Sequence, residues 1–447
     1  MNQILRRFLV TLVALGPVNA AAHAQEVLTV EGAVKAALAR NPSLRASRAS
    51  TEEATAQATE VRSGFFPRVS FSEAWERGND PVFVFSSLLS SRRFAAPNFA
   101  IDALNHPDST GFFQASVGVE QLLFDAGRQR AASTAAGLRR SIAGLSTDEA
   151  AGAVAVATTQ TYGRVVIADA ERRAAEAGLS AAREDQSRAE RRRDAGMATD
   201  ADVLELVMHV ADLQQRAITA TGDAAVARAE LNRIIGNPVD AEFQTVEPMS
   251  ATIDGFGEHP DVADLLAEAD TARPELKRAT ATSRLAEEAK HEARAGLIPH
   301  VAARAAVGLT GTTFNDRASA WIVGGELRWT FSTGGAELAA RKAAAASMAR
   351  AQAEADDAQA AVHLDVVSAL RRLETARARQ EAGRAAVDQA RESQRIIRDR
   401  FEAGIAPVND VLRASKTVLD AETNRVAAVV DTAVAVAQLR RALGRTP

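Results

Sequence analysis

The side chains best suited to chemistry in this 447-residue chain do not assemble into a catalytic pattern. Its seven histidines are scattered, and no His-Glu-x-x-His stretch sets two imidazoles on one helical face. The run from Gly308 to Gly311 lacks the lysine that a phosphate-cradling loop needs. With no cysteine in the sequence, disulfides and thiolate metal sites are excluded, and so is a lipid anchor on an N-terminal cysteine. Neither an enzyme nor a cofactor is expected. The charged groups that do recur are of another kind. Asp202-Val203-Leu204 returns as Asp410-Val411-Leu412, each following an Ala-Gly pair. Asp202-Val203-Leu204-Glu205 reads as a capping box, with Asp202 as the N-cap that satisfies free N–H groups at a helix start. Asp410 suits the same N-cap role, and Arg413 stands one helical turn on. Arg188, Arg191, Arg192 and Arg193 form a basic cluster just before the first turn, where cations suit the C-terminal end of a helix dipole. The alternative for them is a docking patch.

The elements that carry these residues occur twice. Asn41-Pro42-Ser43-Leu44 is matched by Arg273-Pro274-Glu275-Leu276, and Gly64-x-x-Pro67 by Gly296-x-x-Pro299, both at an offset of 232. Phe124-Asp125-Ala126-Gly127 pairs with Phe331-Ser332-Thr333-Gly334 at 207. From Ala195-Gly196 and Ala403-Gly404 onward the offset is 208. A period this long marks a duplicated half rather than a solenoid. The expected division is a first repeat over 25–236, a linker over 237–262 and a second repeat over 263–447.

Each half reads in the same order. Pro42 and Pro274 fit the first position of a helix of about 22 residues that stops at a glycine. Strands with period-2 alternation follow, at about 67–75 and 112–124 in the first half and 299–310 and 320–331 in the second. Phe113, Ala115, Val117 and Val119 alternate with Gln114, Ser116, Gly118 and Glu120; Trp321, Val323, Leu327, Trp329 and Phe331 alternate with Gly324, Glu326, Arg328 and Thr330. Proline-free helices over 128–195 and 336–403 come next, each roughly 100 Å long. Return helices over 203–235 and 411–443 complete the halves. The short and return helices together nearly equal the long one, which predicts two antiparallel columns per half.

Composition narrows the setting. Ten of the 16 phenylalanines lie between Phe65 and Phe124, while 128–195 has none and is rich in alanine, which favours helices in close approach. The first 24 residues read as a cleaved secretory signal: Arg6-Arg7, an apolar run over 8–15 too short to span a bilayer, and Ala22-His23-Ala24. The formal net charge is −4, and without the two signal arginines about −6, so binding to nucleic acid through the bulk field is not expected. No later run of 18 apolar residues is present. The strand pairs have one apolar face and nothing else to cover it, so lipid is its expected partner if several chains pool strands into a closed barrel. Two chains would give eight strands and three would give twelve. Trp321 and Trp329, roughly 26 Å apart along an extended strand, fall where two interfacial aromatic girdles would lie. Glu120, Glu326 and Arg328 would then face a wet lumen.

These motifs in this order resemble the TolC family of outer-membrane factors over essentially the whole mature chain. The resemblance implies a mainly α protein with a transmembrane β part, a homotrimer whose twelve-stranded barrel lies in outer-membrane lipid and continues into a long α-helical barrel across the periplasm. It also implies a periplasmic adaptor and an inner-membrane transporter of RND or ABC type as partners, and export of small molecules such as drugs or metals. A duct for type I protein secretion is the alternative use; a periplasmic or surface coiled-coil structural protein is the rival that leaves the strand pairs unexplained. By the same resemblance the turns at Gly196, Met197, Gly404 and Ile405, with Arg191, Arg192 and Arg193, form the periplasmic tip that meets the adaptor. Asp410, and with it Asp202, would line the constriction, and Arg413 beside Asp410 would partly neutralise it. The segment 76–111 is expected to be the longer extracellular loop, packed on itself or narrowing the outer opening.

Overall fold

The computed structural model describes residues 27–246, 256–257, 260–313, 315–330 and 332–445. The expected signal over 1–24, part of the expected linker and Phe331 lie outside the described residues.

Helix α1 (Val30–Arg40) is capped by Thr29, whose hydroxyl accepts the Gly32 N–H at 3.0 Å. Asn41 breaks the chain and starts α2 (Pro42–Ser63) with its side-chain oxygen on the N–H groups of Ser43 and Leu44. Strand β2 (Arg68–Gly78) is followed by α3 (Pro81–Ser90), a 3-10 turn (Ala96–Phe99) and the short α4 (Ile101–Asn105). Strand β3 (Thr110–Phe124) leads into α5 (Arg128–Asp194), then α6 (Asp200–Ile235). The second half repeats the order with α7 (Val262–Ala272), α8 (Pro274–Ala295), β5 (His300–Thr313), β6 (Asp316–Arg328), α9 (Ala336–Glu402) and α10 (Val408–Ala442). The return helices start three residues earlier than the sequence implied, at Asp200 and Val408, because Thr199 and Pro407 occupy the N-cap positions. The linker contains a strand the sequence did not announce, β4 (Gln244–Thr245), paired in parallel with β1 (Val27–Leu28).

Each 67-residue helix spans about 100 Å at 1.5 Å per residue. Along α5 the shorter α2 and α6 lie end to end. Asn41 makes the joint, because while its oxygen caps α2 its amide donates to Ile234 O at 2.9 Å, the free carbonyl end of α6. In the second half Arg273 takes the same place and donates to Arg441 O at 2.7 Å. Both joints are too tight for a side chain where the chain turns. A Cβ on Gly236 would lie 3.0 Å from Arg40 O, and one on Gly444 2.8 Å from Ala272 C, and both residues sit at positive φ.

Two matching cores surround these joints. Tyr162, Val165 and Val166 of α5 pack on Ala33 and Ala37 of α1 and Leu231 and Ile235 of α6. Val366, Leu370 and Leu373 of α9 pack on Leu265 and Ala269 of α7 and Leu439 and Leu443 near the end of α10. Small residues dominate elsewhere along the helices, and the buried Thr158 and Thr159 return their hydroxyls to carbonyls four residues back.

The strands form one four-stranded antiparallel sheet in the order β2-β3-β5-β6. The two halves therefore meet at β3 and β5, and β2 and β6 are edges. The register sets Arg68, Glu120, Arg304 and Gly324 in one row, and Phe71, Val117, Val307 and Trp321 in another whose side chains point to the opposite face. On that apolar face Val69, Phe71, Val307, Trp321, Val323 and Leu327 are all exposed.

Candidate functional site

Two ends of the molecule gather the residues of interest, the helix tips and the sheet. At the tips, α5 and α9 end alike. Gly196 and Gly404 lie at φ +73° and +74°, the left-handed region, so the next amide turns back: Met197 N–H donates to Arg192 O and Ile405 N–H to Arg400 O, each at 2.8 Å. The exposed Met197 and Ile405 crown these turns. Beneath them Ala189, Val203, Leu206 and Val408 form a small core with Phe401 and Leu412, which ties the two tips together.

Asp202 is not the N-cap. Thr199 is; its hydroxyl accepts the Asp202 N–H at 3.2 Å, and the Asp202 carboxylate accepts the Thr199 N–H at 2.9 Å and its hydroxyl at 2.7 Å. Those two bonds hold the Asp202 carboxyl below the usual carboxylate range. The capping box begins one turn before Asp202, because Thr-x-x-Asp, rather than Asp-x-x-Glu, makes the reciprocal pair. Asp410 holds the equivalent third position of α10, and its carboxylate lies 3.6 Å from the Arg413 guanidinium within the same chain.

The arginine cluster is partly committed. Arg188 pairs with Asp185 and Arg193 with Asp194, each at 2.7 Å, Arg191 donates to Ser187 Oγ, and Arg192 stands over the Phe401 ring at 5.4 Å. Behind the tip, a groove of about 650 Å³ between the two helix pairs is lined in part by His209, Leu412, Arg413 and Lys416. Half-burial there pushes the His209 imidazole below its ordinary value.

At the sheet, Glu120, Glu326 and Arg328 meet through a residue that the sequence did not single out. Arg304 is paired with Glu326 and lies 3.9 Å from Glu120, and Arg328 is paired with the other oxygen of Glu326. With Arg68 in the same row, this end of the face carries three arginines and two glutamates, next to the helices. Arg304 was legible from its parity, being the only charge among the alternating alanines of β5. Further along the same face come Ser70, Ser72, Ser116, Gly118, Ala306, Gly308 and Ala320, so its middle is lined by small residues apart from Ile322 on β6. On the opposite face Trp321 and Trp329 are exposed, the second lying one residue past β6 with its indole donating to Leu297 O at 3.3 Å.

The segment 76–111 is folded rather than loose. Asp80 caps α3 by accepting the Phe83 N–H at 2.9 Å, and Phe85, Phe94 and Phe99 stack edge-on at 4.8 and 4.9 Å. Among the described residues no group of three His, Cys, Asp or Glu side chains is placed to hold a metal ion, and no helix is long and apolar enough to cross a membrane.

Comparison with known proteins agrees with this architecture. The family model described as outer membrane efflux protein matches residues 33–237 and 265–445. No curated protein sequence matches the chain. Among solved structures, the Campylobacter jejuni CmeC outer membrane channel superposes with a TM-score of 0.80 at 15% identity, over 93% of this chain and 85% of that one. A membrane protein from Pseudomonas aeruginosa gives 0.77 at 19% identity over 94% and 92%. The open state of the Neisseria gonorrhoeae MtrE outer membrane channel gives 0.72 at 19% over 93% and 89%.

Proposed function

The chain belongs to the outer membrane efflux protein family, and from that premise we propose that it is the outer-membrane duct of a tripartite efflux system, passing small toxic molecules to the exterior. It is a conduit and not a catalyst. One observation carries the reading: a four-stranded sheet with two unpaired edges, one apolar face and one charged face sits at the end of helices about 100 Å long. An open edge is not tolerated in hydrocarbon, so the sheet must close with copies of itself. Even strand number keeps the alternation antiparallel when β6 of one chain meets β2 of the next. Three chains then form a twelve-stranded barrel, with Trp321 and Trp329 at its two lipid interfaces and the Arg304 cluster at the base of its lumen.

In this assembly the tips point into the periplasm. Asp410 and Asp202 ring the entrance there, while Gly196, Met197, Gly404, Ile405 and the arginines 191–193 face a periplasmic adaptor, which links the duct to an inner-membrane transporter of RND or ABC type. A cleaved signal over 1–24 directs export of the chain. The test is assembly and conduction. Purified protein should cross-link to a trimer, migrate heat-dependently on SDS gels and open channels in planar bilayers. A detergent-independent soluble monomer or dimer without conductance would sink the duct and return the coiled-coil alternative.

A further inference from the structure

The segment between β2 and β3 is attached to the wrong side of the sheet for a loop that merely covers lipid. Helix α3 meets the sheet through residues of the charged face. Phe83 stands edge-on to Phe112 at 6.2 Å, and Thr310 donates its hydroxyl to Ser90 O at 2.8 Å. Phe112 and Thr310 share the parity of Glu120 and Arg304, not that of Trp321. Their position is at the end of the strands farthest from the helices. The segment thus crosses from its own hairpin to the hairpin of the other half.

A two-residue clasp holds it there. Arg92 ends α3 in the left-handed region at φ 59°, unusual for a residue with a side chain, and this turn sends Arg93 N–H back to Leu88 O at 2.8 Å. The Arg92 guanidinium then donates to Ser319 O at 3.0 Å. Arg93 donates to Thr312 Oγ1 at 2.7 Å and pairs with Asp316 at 3.1 Å. Both arginines therefore grip the β5–β6 hairpin, more than 200 residues away in sequence.

We propose that residues 79–109 form an inward-folded exit collar, clasped by Arg92 and Arg93, that restricts this duct to small solutes and excludes polypeptides. The proposal rests on the duct reading, because only a closed barrel turns the charged face into a lumen. Given that closure, three copies of α3 stand inside the outer mouth. The exposed Val82 and Leu89 of α3 and Ile101 of α4 surround the exit, above a lumen middle of Ser, Ala and Gly in which Ile322 is the one bulky side chain. A folded or unfolded chain needs that width free; a small amphiphile does not. The collar thus sets substrate class at the exit, separately from the periplasmic tips.

The chain has no cysteine, which makes the test direct. Ala306→Cys sits on the lumen face in mid-barrel and Ala305→Cys on the lipid face beside it. Whole cells are treated from outside with a small charged maleimide and, in parallel, with a polyethylene-glycol maleimide of several kilodaltons. With the native collar, Ala306→Cys should react with the small reagent and not with the large one. Replacing residues 81–107 with a short Gly-Ser linker should let the large reagent react as completely as the small one. Arg92→Ala with Arg93→Ala should do the same in part, and this pair decides the matter if the shortened chain fails to reach the membrane. Equal labelling by the large reagent with the collar intact would overturn the proposal, as would continued exclusion once the clasp is removed from a properly inserted trimer. Reaction of Ala305→Cys instead of Ala306→Cys with the small charged reagent would overturn the duct reading itself, a separate outcome.

Discussion

Tyr162 reaches across the fold to Leu28: its hydroxyl donates to the Leu28 carbonyl at 2.7 Å and accepts the Val246 N–H at 3.0 Å. The sole tyrosine of the chain, fully buried in the middle of α5, thereby fastens β1 and the residue that follows β4 to the long helix. Tyr162→Phe keeps the ring and leaves two backbone groups without their partner. The expected cost is about 1–3 kcal/mol. It should appear as a lower melting temperature and earlier proteolysis near residue 28. An unchanged melting curve would mean water replaces the hydroxyl.

Asp169 of α5 is nearly closed off from solvent and is paired with Arg228 of α6, with Arg172 at 3.7 Å as a second, weaker partner. Arg164 and Glu230 pair at 3.4 Å on the same two helices in the open. Arg228→Ala should cost about 2–3 kcal/mol by leaving a buried carboxylate with only its weaker Arg172 partner. Arg164→Ala should cost less than about 1 kcal/mol. Hydrogen exchange of α6 in the two variants gives the comparison; equal protection would contradict it.

The Thr199–Asp202 box ties the tip turn to α6. Thr199→Ala should loosen the first turn of α6 by about 1 kcal/mol, seen as faster protease cleavage over 195–200. The pH dependence has a definite sign. Because the folded Asp202 carboxyl titrates below its unfolded value, its contribution is complete above the unfolded value and fades as pH falls through the folded one. The wild-type tip should therefore loosen only in acid, and by less than a buried pair would, since solvent screens this exposed group. Loosening on the alkaline side would refute the assignment.

Asp410 and Arg413 are exposed and 3.6 Å apart, so neither charge is cancelled by burial. In planar bilayers Arg413→Ala should raise cation preference and Asp410→Ala should lower it. If both variants conduct like the parent, these residues do not ring the entrance.

Arg304 lies between Glu120 and Glu326 at the base of the sheet and offsets part of their charge. Arg304→Ala should shift the reversal potential in a salt gradient toward cations while leaving assembly intact. An unchanged potential would place that face outside the conduction path.

The parts of this architecture that could be read from the sequence are those that local pattern dictates. The offset of 208 between Gly196 and Gly404 marks two turns that both require left-handed backbone, and alternation over Phe113 to Glu120 separates the two faces of β3 without any partner. Segment 76–111 was harder. Asp80-Pro81 is a sound helix start, but Val82-Phe83-Val84-Phe85 alternates like a strand, and the cap bond to Phe83 decides for the helix. What escapes entirely is long-range pairing: nothing near Arg93 in sequence points to Asp316, nor near Tyr162 to Leu28. Local charge pairing is legible only in part, because spacing alone does not say which neighbour a long side chain takes. Arg188 and Arg193 look like an unpaired patch until Asp185 and Asp194 are seen beside them.

The unpaired rims of β2 and β6 have a genetic consequence. A subunit whose β2 rim is spoiled, for instance by a proline at Ser70, still offers an intact β6 rim to its neighbour. In the proposed trimer it would be recruited into the ring and leave one seam unsealed. In cells expressing both forms, the yield of sound trimers should fall as the third power of the normal subunit's share. Such an allele would be dominant, and loss of one edge would silence its healthy partners, whereas a subunit that never folds would be recessive.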